Sequence, residues 1–196
     1  MSFDASQVYQ PAEDTFLLIR AALAEVRPDD VVVEIGTGSG AVASAVQKAA
    51  PRTIGVDINP HAVAYAHAVN GVETLRSDLF SAVSGKFDLI LFNAPYLPTL
   101  PEERIDDWLE YALDGGAAGR DVIERFRPQA LSHLTETGRI LLLISSLTGL
   151  LETVSLCVAC GADAAVCAEE AVEDGEMLYV LKITRSLACS SIFPPF

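Results

Sequence analysis

At 196 residues, 51% of them apolar, the chain is long enough for one well-buried domain and too apolar to be disordered, while a second independent domain would be cramped. Its 27 acidic residues against 13 basic ones give a formal charge of −14, with lysine only at Lys48, Lys86 and Lys182, so the surface repels phosphate backbones and disfavours unaided nucleic-acid binding. The same acidic, lysine-poor surface is also what adaptation to high salt produces.

Strand and helix patterns alternate along the chain. Glu13 to Val26 reads as an amphipathic helix, with Phe16, Leu17, Ile19, Leu23 and Val26 near helical spacing. Val31 to Ile35 is a β-branched strand that runs into the glycine-rich turn Gly36 to Gly40. A helix over Ala41 to Ala49 is closed by Pro51, and Thr53 to Val56 is the next strand. Pro60 opens a helix in the favoured first-turn position, and Asn70-Gly71 ends it. Val72 to Arg76 is a short strand and Phe87 to Phe92 a fourth. The segment Leu97 to Gly119, rich in Pro, Asp and Gly, is long enough for a loop to imply a function. A helix over Asp121 to Leu134, a strand over Arg139 to Ile144, a helix over Leu147 to Cys160 and a last strand over Glu176 to Thr184 follow. Repeated strand–helix units with buried strands predict one α/β domain over residues 1–184, doubly wound on a mostly parallel sheet, with 185–196 as a tail.

The longest apolar stretch, Ile140 to Ile144 and Leu147 to Leu151, is broken by Ser145, Ser146, Thr148 and Gly149 and falls short of a membrane span. The first residues lack the basic and apolar regions of a signal peptide, so a cytoplasmic protein is expected. Of the four cysteines, Cys157 and Cys160 form a CxxC, but no second pair accompanies them and they lie on an apolar helix pattern. The pair is expected to be small core residues, Cys167 and Cys189 stand apart from it, and no metal site is supported.

Two places carry chemistry. The apolar run Leu89 to Phe92 ends in Asn93-Ala94-Pro95-Tyr96, which delivers an amide, a rigid turn and an aromatic ring at the C-terminal edge of a strand. Those groups suit a planar amino or amide nitrogen, although the same four residues are also an ordinary strand-ending turn. At the other place, the strand ending in Glu34 and Ile35 leads into Gly36-Thr37-Gly38-Ser39-Gly40, and Asp57 follows Gly36 by 21 residues, where a carboxylate accepts both ribose hydroxyls of an adenosine ligand. The spacing departs from GxGxxG, and no Lys-Ser/Thr completes a phosphate cradle. Glu34 would repel a pyrophosphate and suit a cationic amino acid, so S-adenosylmethionine, with a sulfonium, an ammonium and no phosphate, fits better than NAD. Asp78-Leu79 is placed to contact the adenine, or Asp78 is simply a solvated turn residue. His61, His67 and His133 read as surface or packing residues, and Trp108 and Tyr111 either line the site or cover the core.

Together these residues resemble class I S-adenosylmethionine-dependent methyltransferases, and within them the release-factor glutamine methyltransferases of eukaryotic and archaeal, HemK-like type. The resemblance is carried by Tyr9 to Phe16 (YQPAEDTF), Glu34 to Gly40, Asp57-Ile58-Asn59-Pro60, Asn93 to Tyr96, Gly115 to Arg120 (GGAAGR) and the last strand Glu176 to Lys182. It implies a Rossmann-like fold, a seven-stranded sheet with a final antiparallel strand. It also implies cofactor contacts from Thr15, Glu34, Gly36, Thr37, Gly38, Gly40, Asp57, Ile58, Asp78, Leu79 and Asn93, and a catalytic group of Asn93, Ala94, Pro95 and Tyr96. The family's usual tetrapeptide is Asn-Pro-Pro-Tyr; here Ala94 stands at the first proline, keeps the backbone carbonyl, and is held extended by Pro95.

What the resemblance implies is methyl transfer to the amide of a glutamine in a Gly-Gly-Gln segment of a translation release factor, leaving S-adenosylhomocysteine. Asn93 and the Ala94 carbonyl would accept the two N–H bonds while Tyr96 packs on the amide face, so catalysis is orientation rather than strong general-base action. It also implies a heterodimer with a small zinc-binding activator protein, expected at an edge strand near Val72 to Arg76. Two other readings compete: an adenine-N6 methyltransferase acting on DNA or RNA, against which the acidic charge stands, and a non-catalytic scaffold that binds cofactor or partner.

Overall fold

In the computed structural model, described for residues 3–100, 102, 107–172 and 175–186, seven strands form one sheet. The elements are α1 (Glu13–Glu25), β1 (Val31–Ile35), α2 (Ala41–Val46), β2 (Arg52–Asp57), α3 (Pro60–Asn70), β3 (Glu73–Arg76), β4 (Phe87–Asn93), α4 (Asp121–His133), β5 (Leu134–Ser145), α5 (Leu150–Ala159), β6 (Ala162–Ala171) and β7 (Met177–Arg185). The sheet runs β3-β2-β1-β4-β5-β7-β6, all parallel except β7, which lies antiparallel between β5 and β6. The order reverses between β1 and β4, and it is there that parallel strands open a crevice beyond their C-terminal ends.

Both faces of the central strands are buried, which is why they read as continuous apolar runs. Val33, Ile35, Ile90, Phe92, Ile140 and Leu142 pack with Phe126 of α4 on one face. Their alternates Val32, Leu89, Leu91, Leu141 and Leu143 pack with Leu17 and Leu18 of α1 and Val42 of α2 on the other. Local signals fixed several ends as expected: Asn59 caps α3 by accepting from the His61 N–H, Pro60 sits in its first turn, and Gly71 closes it at φ 64°.

Other ends differ from expectation. α2 stops at Val46 instead of Ala49, and β5 starts at Leu134, five residues before Arg139. α5 begins at Leu150 because Ser145 accepts from the Leu147 N–H and Ser146–Thr148 form a 3-10 turn ending at Gly149, φ 82°. β6 supplies the seventh strand that the resemblance implied, but the residue pattern does not locate it: its alanines and glutamates carry no strand pattern, and it exists through its antiparallel pairing with β7. Cys157 is buried as expected, but Cys160 lies exposed beyond the end of α5, so core packing accounts for only one of the pair; Cys167 is exposed on β6. Of the expected tail, Arg185 still belongs to β7; residues 187–196, including Cys189, lie outside the described residues. Among the described residues no helix is long and apolar enough to cross a membrane.

At the end of the sheet away from the crevice, Arg139 is buried and grips Asp30 with both guanidinium nitrogens, Nη2–Oδ2 at 2.7 Å and Nη1–Oδ1 at 3.2 Å. It also donates to the carbonyls of Asp88 and Glu25, which joins α1 and the entries of β1 and β4. Burial alone would push the Asp30 carboxyl up, but hydrogen bonds and charge from Arg139 and the Arg27 amide hold it below its ordinary value. Replacing Arg139 by Met strands that carboxylate, and the expected loss is about 3–5 kcal/mol by chemical denaturation at neutral pH. Because the folded state holds the pKa down, the difference between variant and wild type should persist at neutral pH and shrink as the medium is acidified through the carboxylate range.

Candidate active site

The crevice beyond β1, β2 and β4 is a cleft of about 280 Å³. Its charged lining is Asp14, Glu34, Asp57, Asp78 and Arg125, four carboxylates against one guanidinium. The guanidinium is already taken, since Arg125 of α4 pairs with Asp78 at 2.5 Å. What remains is an anionic cleft without a phosphate cradle.

The floor is the glycine turn. Gly36 and Gly38 line the cleft in left-handed backbone conformations, and Thr37 sits between them with its N–H on the Val56 carbonyl at 3.0 Å. Glu34 does not reach freely into the cleft: its Oε2 accepts from Thr37 Oγ1 at 2.6 Å and from the Ala43 N–H at 2.9 Å, bracing the turn from beneath. Burial pushes its carboxyl up to about 8, against the pull of those two hydrogen bonds. Asp57 accepts from the Gly38 and Asn59 N–H groups at 2.8 and 2.9 Å, and burial raises its pKa. Ile58, Asp78 and Leu79 continue this wall, Leu79 at φ 49°. Gly40 alone of the expected residues does not line the cleft. A Cβ there would meet the Ala66 side chain at 2.7 Å, so this glycine lets α2 approach α3.

The opposite wall is the end of β4. Asn93, Ala94, Pro95 and Tyr96 all line the cleft, Ala94 and Pro95 buried and Tyr96 half-buried. The Asn93 Nδ2 donates to Asp14 Oδ2 at 2.9 Å, whereas its Oδ1 is buried with no hydrogen-bond partner among the described residues. Tyr9 also donates to Asp14 Oδ2, at 2.9 Å. Burial first, and the Asp14 charge second, hold the phenols of Tyr9 and Tyr96 protonated well above the ordinary range. Thr15 lines the cleft beside them. Trp108 and Tyr111, rings 5.3 Å apart, close one side, so they belong to the site rather than to the core.

Asp14, Tyr9 and Arg125 were not foreseen as site residues. Asp14 reads locally as a generic acid in the first turn of a helix, and its partner is 79 residues away. The stretch Tyr9 to Phe16 was the available signal. The Gly115 to Arg120 loop acts from behind: Leu97 bonds the backbone of Leu113 and Gly115, and Arg120 holds the Thr148 carbonyl at 2.5 Å. Among the described residues no cluster of three His, Cys, Asp or Glu side chains is arranged to hold a metal. β3 is at the sheet edge as expected, but Val72 precedes the strand and is fully buried; the exposed apolar residue nearby is Val69 on α3.

Comparison with known proteins places this geometry in context. Residues 13–104 match the methyltransferase small domain family. The chain is 46% identical over 155 residues to a Methanocaldococcus jannaschii protein provisionally named protein N5-glutamine methyltransferase, covering 76% of this chain and 78% of that one. It is 38% identical over 146 residues to the Mus musculus methyltransferase HEMK2, covering 67% and 68%. Among solved structures, the E. cuniculi Mtq2–Trm112 complex, responsible for methylation of the eRF1 translation termination factor, superposes with a TM-score of 0.76 at 25% identity, over 92% of this chain and 99% of that one.

Gly119 offers a direct check on the buttress. At φ 65° its α-carbon faces the Tyr96 carbonyl so closely that an added Cβ would sit 2.5 Å from that oxygen. Gly119→Ala should therefore displace the end of β4 and cut cofactor or substrate binding about tenfold or more, while far-UV circular dichroism still reports the sheet.

Proposed function

This chain belongs to the protein N5-glutamine methyltransferases, class I S-adenosylmethionine-dependent enzymes, and on that footing we propose that its substrate is the glutamine of a Gly-Gly-Gln segment in a translation release factor. The observation that carries the proposal is Asn93 Oδ1, a buried acceptor without a donor among the described residues, at the C-terminal end of β4. A primary amide has two N–H groups to offer. Asn93 Oδ1 takes one, the Ala94 carbonyl takes the other, and Tyr96 covers the flat face. A hydroxyl supplies one donor and a carboxylate none.

The anionic cleft suits a ligand that is cationic and free of phosphate. Asp57 would hold the ribose hydroxyls, Asp78, Ile58 and Leu79 the adenosine, and Thr15, Glu34 and the Gly36–Gly38 turn the amino-acid end. S-adenosylmethionine supplies an electrophilic methyl on a sulfonium. As the nitrogen–carbon bond forms, the carbon–sulfur bond breaks, its electron pair stays on sulfur to leave a neutral thioether, and the nitrogen sheds a proton to solvent. The amide lone pair is delocalised, so the contribution of Asn93 and Ala94 is to aim it and to stabilise the N–H groups as charge develops on nitrogen. The unpaired outer side of β3 (Glu73–Arg76) would receive a small zinc-binding activator protein, a reading supported to the extent that the E. cuniculi neighbour is a complex with a second protein, and a translation factor as substrate puts the activity in the cytoplasm.

Labelled methyl should pass to a release factor and not to its Gly-Gly-Glu variant, and Asn93→Ala should lower the rate by about 100-fold or more. Equal labelling of both release factors overturns the glutamine assignment, and transfer to adenine in DNA in place of protein would replace it. A second outcome concerns pH. With the free Glu34 carboxyl pushed up to about 8, binding a cation that favours its ionised form releases a proton. Cofactor affinity should therefore rise from pH 6 towards 8 and level off above it, and Glu34→Gln should flatten that rise; calorimetry in buffers of different ionisation enthalpy reads the proton directly.

A further inference from the structure

Asp14 is buried, and the hydrogen bonds it receives all come from donors. Its Oδ1 accepts from the Thr15 N–H at 2.6 Å and from Thr15 Oγ1 at 3.1 Å. Its Oδ2 accepts from the Tyr9 hydroxyl and from Asn93 Nδ2, both at 2.9 Å. A backbone N–H can only donate and a carboxylate can only accept, so the hydrogen bonds converge on Asp14, from Thr15 on one oxygen and from Tyr9 and Asn93 on the other. The Asn93 amide is nearly symmetric in shape and not in polarity. With Nδ2 committed to Asp14, the atom left for the cleft is Oδ1.

We infer that Asp14 is a positioning residue that sets the hydrogen-bond polarity of the cleft, locking Asn93 as an acceptor so that the site takes an amide side chain and refuses the isosteric carboxylate. Glutamine and glutamate fill the same volume. Against Oδ1 the amide makes a hydrogen bond and the carboxylate meets a second lone pair, a difference that a buried site turns into strong discrimination. The Nδ2 bond to an anion also polarises the Asn93 amide and makes Oδ1 a better acceptor. The inference rests on glutamine as substrate for its consequence, but its physical content, the orientation of Asn93, does not.

Asp14→Asn tests it. The Thr15 N–H still needs an acceptor, so the introduced amide turns its oxygen there and its NH2 towards Asn93, which must rotate and present its own NH2 to the cleft. The full chain with its activator is to be measured against two release-factor peptides that differ only in Gly-Gly-Gln or Gly-Gly-Glu. Wild type should prefer glutamine by about tenfold or more. Asp14→Asn should lose or invert that preference and transfer methyl about 100-fold more slowly, with S-adenosylhomocysteine binding and the melting temperature little changed. The exchange Asp14→Asn/Asn93→Asp restores an acceptor to the cleft with the charge count unchanged, and should recover the glutamine preference together with about tenfold of the lost rate. A purely structural role for Asp14 predicts neither the inverted preference nor this rescue.

A folded Asp14→Asn that keeps the wild-type preference overturns the inference, as does an exchange no better than the single variant. Independently of any substrate, the Asn93 side-chain amide protons should exchange slowly with solvent in wild-type NMR spectra, because Asp14 holds them. Fast exchange there overturns the inference even if glutamine is methylated. Slow exchange with no transfer to either peptide upholds it, and only the glutamine assignment falls.

Discussion

Everything the site does depends on β1 lying in parallel register between β2 and β4. That pairing sets Ile35 beside Val56 on one side and Phe92 on the other, so three strands run out of apolar residues at one level. Parallel strands all point the same way, and the polar residue that ends each of them therefore arrives at the same edge. Asp57 and Asn93 reach the same edge for this reason, though 35 residues of helix, strand and loop lie between them in sequence. The helices on both faces keep water from the central strands and leave only the ends wet.

Held in one small cleft, carboxylates repel one another and resist burial, and the structure answers each in its own way. Glu34 and Asp57 are turned towards the backbone N–H groups of the glycine turn and its flanks, which makes them part of the scaffold as much as of the lining. Asp78 is neutralised by Arg125, on the more exposed side. Asp14 is surrounded by donors. The result is a cleft whose carboxylates are each held by donors and which keeps a negative charge that suits a cation.

The elements that position the site could be read from the chain because their signals are local. The β-branched run Val31–Val33, the apolar run Leu89–Phe92 with its terminating Pro95, and the Pro60…Gly71 brackets of α3 each state their structure within a few residues. What could not be read is what depends on a distant partner. β6, five of whose ten residues are alanine, is a strand only because β7 lies beside it. Gly40 looks like one more residue of a ligand-binding turn until Ala66 of α3 is found against it. Asp14 resembles any helix-opening acid until Asn93 closes the ring, and Cys160 follows an apolar pattern that its helix has already left. The tetrapeptide at the end of β4 was visible as chemistry; the group that gives it a direction was not.

The bond between Asp14 and Asn93 spans 79 residues and joins the first turn of α1 to the end of β4. It can form only after the central strands have paired and the segment from Tyr9 to Thr15 has settled across their ends. A contact of such high sequence separation closes late relative to local ones. The sheet can thus be complete while the site is not. Because Tyr9 on the approach to α1 and Thr15 within it bond the same carboxylate, a change in that short stretch would reach the reaction without touching the sheet.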